Sequence, residues 1–210
     1  MQASHPTAIP PADPLERSVP LALKLLALVP CVVLLDQSAV AHSAFPPLTF
    51  PFFYSMYYVW IITPLHEGGH LLFALFGRTL HILGGSFWQV MIPVVACVVA
   101  ARQKSFFSTV YLALAGVNAI ALTSYIYDAP YRSLHLLGPK EGHDWYNLLI
   151  HWQMLDSAED LSNVAYFGGL AVGSLAIAGG IAWAFYEYFH PTPFLLKDDE
   201  TKPVAESRER

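Results

Sequence analysis

Charged residues are missing from stretches of this chain that are too long to be ordinary soluble helices. Gln37 to Leu65, Thr79 to Ala101, Ser105 to Tyr127 and Ser162 to Tyr186 contain no Asp, Glu, Lys or Arg. Each exceeds the roughly 20 apolar residues that carry a helix across a bilayer. Leu21 to Leu35 is apolar apart from Lys24, whose long stem lets its ammonium reach an interface. The composition agrees, with 13% charged residues against roughly 25% in soluble domains. The expectation is an all-α polytopic protein with about four to six transmembrane helices, multi-pass and placed in the cell membrane.

Residues 1–17, rich in Pro, Ala and polar side chains, read as a disordered leader. Residues 18–190 read as one membrane-embedded domain, and residues 191–210 as a disordered charged tail. The leader holds Asp13, Glu16 and Arg17 without a compact basic start, and the apolar run ends at LLDQS. It therefore reads as a retained first helix and not a cleaved signal peptide. The net charge of −5 is spread over loops and tail, with no basic run to suit nucleic acid. Cys31 and Cys97 lie in apolar segments and read as small buried hydrophobes.

Within this uncharged setting stands the run His66-Glu67-Gly68-Gly69-His70. Residues four apart share a helix face, so His66 and His70 can hold one metal ion between them. Glu67 projects beside that face, where it can take a proton from a metal-activated water. Ionisable groups at membrane depth are costly and usually mark a function. A helix is expected from about Phe52 to Phe76, entered behind the prolines of AFPPLTFP. Pro64 cannot donate to the Trp60 carbonyl and should kink that helix just before His66. Gly68 and Gly69 each cost about 1 kcal/mol of helix propensity against Ala, and serve either close packing or substrate approach.

Beyond Gly77-Arg78, the cluster Gly84-Gly85-Ser86 signals a turn. A short re-entrant hairpin is therefore expected over residues 79–92, after the HExxH helix, with Pro93 opening the next helix. Such a loop would leave Arg78 and Arg102 on one side of the membrane.

A catalytic zinc takes three protein ligands and keeps a fourth position open, and the motif supplies two. The run Gly142-His143-Asp144-Trp145 is the best source of the third. Asp144 is the candidate, with His143 as its alternative or as a partner that orients a ligand. Asp144 also fits a helix N-cap or first turn, sharing a face with Asn147 and His151. His81, His135 and His190 read as loop or interfacial histidines. The expected metal set is thus His66, His70 and Asp144 around Zn2+, with Glu67 as the catalytic base.

HEGGH in a membrane helix, then a Gly-containing segment, then a downstream Asp motif, resembles the site-2 protease family of intramembrane zinc metallopeptidases. The resemblance covers roughly residues 54–155 and is closest at the HExxH. In that family an Asn-containing segment precedes a Leu-Asp-Gly stretch that brings the aspartate ligand. The matching positions here are Asn118 in AGVNAI and Asp144 in GHDW, although the aspartate follows His and no Leu-Asp-Gly occurs. The resemblance implies zinc on His66, His70 and Asp144, with Glu67 moving a proton from water to the leaving amine. It also implies oxyanion stabilisation by zinc and a nearby donor such as Asn118, whose other reading is helix packing. The implied substrate is a membrane protein or membrane-associated peptide met in the lipid bilayer. A lipid or amide hydrolase and a non-catalytic scaffold retaining the motif are the competing readings. Di-iron desaturases and hydroxylases need several histidine boxes, and HxxHH does not occur here.

Overall fold

A computed structural model describes residues 14–43, 51–134 and 140–190. Most of the leader, the tail and His135 lie outside the described residues. Regular structure among those residues is wholly helical, in the order α1 (Pro14–Ser43), α2 (Phe52–Tyr57), a π-helical turn (Tyr58–Ile62) and α3 (Thr63–Phe73). A 3-10 turn (Ala74–Phe76) leads to α4 (Arg78–Arg102), followed by α5 (Phe107–Tyr127), the short α6 (Asp144–His151) and α7 (Ala158–Phe189). Among the described residues, five segments are long and apolar enough to cross a membrane: Ser18–His42, Phe52–Phe76, Arg78–Arg102, Phe107–Tyr127 and Leu155–Phe189. The chain is an all-α polytopic membrane protein. Helix α1 begins at Pro14, so the last residues assigned to the leader belong to the first helix.

Helix α5 is the centre of the bundle, with half of its most apolar window buried. Gly116 on α5 meets Gly169 and Gly173 on α7 so closely that a Cβ at 116 would lie 2.6 Å from the Gly169 carbonyl oxygen. Small residues permit this backbone approach where neither helix gains from burying apolar surface in lipid. Leu35 and Leu28 of α1 pack on Gly173 and Gly180 of α7. The apolar core combines Cys31 and Leu34 with Val117, Ile120 and Ile177. Lys24 pairs with Glu187 and lies over the Phe106 ring, so its charge finds a partner at the bundle end.

These contacts fix directions. Lys24 against Glu187 and Leu35 against Gly173 make α1 antiparallel to α7. Thr109 against Gly180 and Ser162 on Thr123 make α7 antiparallel to α5. Gln89 meets Asn118 across α4 and α5, and Gly69 meets Gly84 across α3 and α4, both antiparallel. Helix α1 and the Phe52–Phe76 helix therefore run the same way, and simple alternation fails between them.

The expected hairpin over residues 79–92 is not formed. Helix α4 is continuous for 25 residues, about 37 Å, so Arg78 and Arg102 lie at opposite ends. Pro93 sits inside α4 instead of opening a helix. In hydrocarbon a turn would strand backbone donors and acceptors, a larger cost than the roughly 1 kcal/mol per glycine. Gly84 is small for another reason: a Cβ there would lie 2.7 Å from Phe73 Cβ and 2.8 Å from the Gly69 carbonyl oxygen. The discontinuity at Pro64 takes the form of the π-helical turn, and the Thr63 hydroxyl donates to the Tyr58 carbonyl at 3.1 Å. A wider turn absorbs the donor that proline lacks.

Candidate metal centre

The crossing of α3 on α4 presents His66 and His70 on one face, four residues apart. The first turn of α6 brings Asp144 to them. His66 Nε2 lies 3.0 Å and His70 Nε2 3.1 Å from the same oxygen, Asp144 Oδ2. All three side chains are 13–15% exposed. His66 also packs edge-on against Tyr125, two residues from the end of α5, so the cluster lies near one end of the bundle. Lys24 and Glu187 mark the other end.

The outer nitrogens of both imidazoles are engaged. His70 Nδ1 lies 2.8 Å from the His81 carbonyl oxygen, and His81 Nδ1 returns to the His70 carbonyl at 2.9 Å. A carbonyl only accepts, so His70 carries a proton on Nδ1, and its neutral ring presents the Nε2 lone pair inward. His66 Nδ1 lies 2.8 Å from Gln89 Oε1. Imidazoles held this way by outer partners are the usual form of metal-ligating histidines. Gly85 of α4 completes the cradle: a Cβ there would stand 2.7 Å from His66 Nε2 and 2.6 Å from His70 Nε2.

Asp144 is held as firmly. Its N–H donates to the Tyr125 hydroxyl at 2.9 Å, and Trp145 Nε1 donates to Ser86 Oγ at 3.1 Å. Burial acts to raise the Asp144 carboxyl, but N–H donation from His66 and His70 Nε2, hydrogens whose place a bound cation would take, outweighs it and holds the group at about 2. His143 is the N-cap of α6, its Nδ1 accepting the Tyr146 N–H at 3.2 Å. Its Nε2 makes no well-aligned hydrogen bond but lies 3.3 Å from Asp128 Oδ2, and both side chains are fully buried. Asp128 in turn accepts the Ser133 and Leu134 N–H groups. Burial pushes the His143 imidazole below its ordinary value, and Asp128 only partly opposes this.

His66, His70 and Asp144 are brought together, each offering one ligand atom, all within 4.8 Å of one another. The spacings of 3.0 and 3.1 Å approach the roughly 3.3 Å between corners of a tetrahedral zinc site with bonds near 2.05 Å. Two imidazoles and a carboxylate are also a common catalytic zinc donor set. These residues fit the metal. Three inward lone pairs repel one another unless a cation, or protons on both imidazoles, stands between them. His143, the alternative ligand, lies outside this cluster. Glu67 is exposed on the neighbouring face of α3, and Gly68 beside it faces open space.

Asn118 is unavailable as an oxyanion donor. It is 1% exposed, its Nδ2 donates to the Gln89 carbonyl at 2.6 Å and its Oδ1 accepts the Tyr57 hydroxyl at 2.8 Å. His151 is exposed. Reading by motif passed over Gln89, His81, Tyr125 and Gly85. The signal for Gln89 and His81 was present, since both are polar side chains in an uncharged apolar window. Comparison with protein-family models, curated proteins and solved structures finds no match to the chain.

Proposed function

We propose that the chain is a membrane-embedded zinc-dependent hydrolase that cleaves peptide bonds of membrane-associated substrates. The observation that carries this reading is the meeting of His66 Nε2 and His70 Nε2 at one Asp144 oxygen, 3.0 and 3.1 Å away. Zinc, when bound, supplies Lewis acidity toward water and a substrate carbonyl. His66, His70 and Asp144 hold it, and their outer hydrogen bonds keep them from rotating away. Glu67 holds and moves the proton, and its exposure at the bundle end leaves it open to water. Tyr125 accepts the Asp144 N–H and its hydroxyl also hydrogen-bonds the Asp144 carboxylate, so it positions the ligand and is not a free oxyanion donor. The open face at Gly68 lets an extended backbone come close to α3. The resemblance to site-2 proteases supports peptide-bond cleavage over hydrolysis of a lipid or simple amide.

The test uses the full chain in lipid nanodiscs. Wild type and Glu67→Gln should each hold about one zinc per chain, and Asp144→Ala should hold almost none. Cleavage of membrane-anchored peptides should fall about 10²–10⁴-fold in Glu67→Gln. Zinc retained in full by Asp144→Ala removes the proposed ligand set, and unchanged function in Glu67→Gln favours a scaffold.

A further inference from the structure

We infer that Gln89 is a positioning residue for the metal centre: it fixes His66 with its proton on Nδ1 and its Nε2 lone pair turned to Asp144. The inference rests on the zinc reading above. Its origin is Pro93, which has no N–H for the Gln89 carbonyl one turn earlier. Asn118 fills that place, donating through Nδ2 at 2.6 Å. In return Gln89 Nε2 donates to the Asn118 carbonyl at 3.2 Å. A backbone carbonyl only accepts, so the amide nitrogen of Gln89 must face Asn118 and Oε1 must face His66. Oε1 also only accepts, so His66 Nδ1, 2.8 Å away, carries the hydrogen. A neutral imidazole has one such hydrogen, which leaves Nε2 free as a ligand.

The lock has little freedom. Gln89 and Asn118 are 2% and 1% exposed, and Asn118 Oδ1 is held by the Tyr57 hydroxyl. Buried polar groups with every partner matched have few other arrangements open to them. The two histidines differ in one respect that makes the inference testable. His70 is held by the main chain of His81, whereas His66 depends on a side chain that substitution can remove.

The full chain in nanodiscs is stripped of metal and titrated with Co2+, whose visible absorption reports tetrahedral coordination. Gln89→Leu cannot accept from His66, and its Co2+ affinity should fall about 10–100-fold. Gln89→Glu keeps an accepting oxygen while losing the donation to Asn118, and its affinity should stay within about threefold of wild type. A purely structural Gln89 gives the reverse order, because the glutamate breaks the Asn118 pair and adds a buried charge. Equal affinity in wild type and Gln89→Leu, or weaker binding in Gln89→Glu than in Gln89→Leu, overturns the inference but not the metal centre. A wild type that takes up no cobalt overturns both. If Gln89→Leu does not fold, ¹⁵N-histidine NMR of the zinc-loaded wild type decides, with the His66 signal identified by its loss in His66→Gln. Zinc on Nε2 and hydrogen on Nδ1 support the lock, and zinc on Nδ1 overturns it.

Discussion

Replacing Gly85 by Ala should empty the metal centre while the bundle stays folded. The added Cβ would stand 2.6 Å from His70 Nε2 and 2.7 Å from His66 Nε2. To reach the 3.4 Å at which ordinary contact begins, each imidazole must retreat by about 0.7–0.8 Å. Zinc–nitrogen bonds near 2.0–2.1 Å tolerate errors of only about 0.2 Å. Neither ring has slack, since His66 is tied to Gln89 and His70 to His81. Helix α4 cannot back away easily either, because Gln89 ties it to Asn118 of α5 through two buried hydrogen bonds. Displacing two ligands by that distance should cost at least about 100-fold in metal affinity, or about 2.8 kcal/mol. Zinc content and cobalt titration read the loss, and far-ultraviolet circular dichroism checks the helices. Gly68→Ala is the matched control: nothing lies within 4 Å of its Cβ position. That variant should keep its metal and gain up to about 1 kcal/mol of helix stability. Affinity within about threefold of wild type in Gly85→Ala would refute the ligand geometry.

Other perturbations probe the frame around the site. His143→Ala removes the α6 cap and the partner of a buried Asp128, and should cost about 2 kcal/mol by thermal unfolding, with weaker zinc binding because Asp144 loses its support. Burial lowers the folded-state value of His143 below 6.5, so on acidification the unfolded chain binds the proton first. Its contribution to stability is complete above pH 6.5 and shrinks as the pH falls below it. The stability difference between wild type and His143→Ala should therefore narrow in acid, and a difference that widens there contradicts the assignment. Gly116→Leu forces side-chain volume into the α5–α7 crossing, where a Cβ alone meets backbone at 2.6 Å. It should lower the melting temperature through about 3 kcal/mol of strain; an unchanged melting curve would show that the crossing is not close.

Much of the architecture was legible because lipid imposes it. A segment without charges and longer than a bilayer is thick has to satisfy its backbone internally, so the spans near Ser105–Tyr127 and Ser162–Tyr186 could be read directly. The same rule, applied too weakly, produced the hairpin expected over residues 79–92. Gly84-Gly85-Ser86 carries a turn signal in water, but here these residues are small where α4 approaches α3 and the two imidazoles. Helix direction is less legible: the directions of α1 and the Phe52–Phe76 helix are set by which glycines and leucines meet, and no local pattern records that.

The candidate site divides in the same way. His66 and His70 follow from helical periodicity, a property of neighbouring residues, and Glu67 comes with them. Asp144 could be nominated from GHDW, but it lies 74 positions beyond His70, and its approach depends on Tyr125, Ser86 and the Asp128–His143 pair. Gln89 and Gly85 carry no motif at all. What they do, accepting one hydrogen bond and vacating one methyl's volume, is defined by atoms on another helix. Periodicity and hydrocarbon solvation act along the chain and leave their mark in its order of residues. Tautomer, ligand direction and cradle depend on distances between helices, which exist once the bundle has packed.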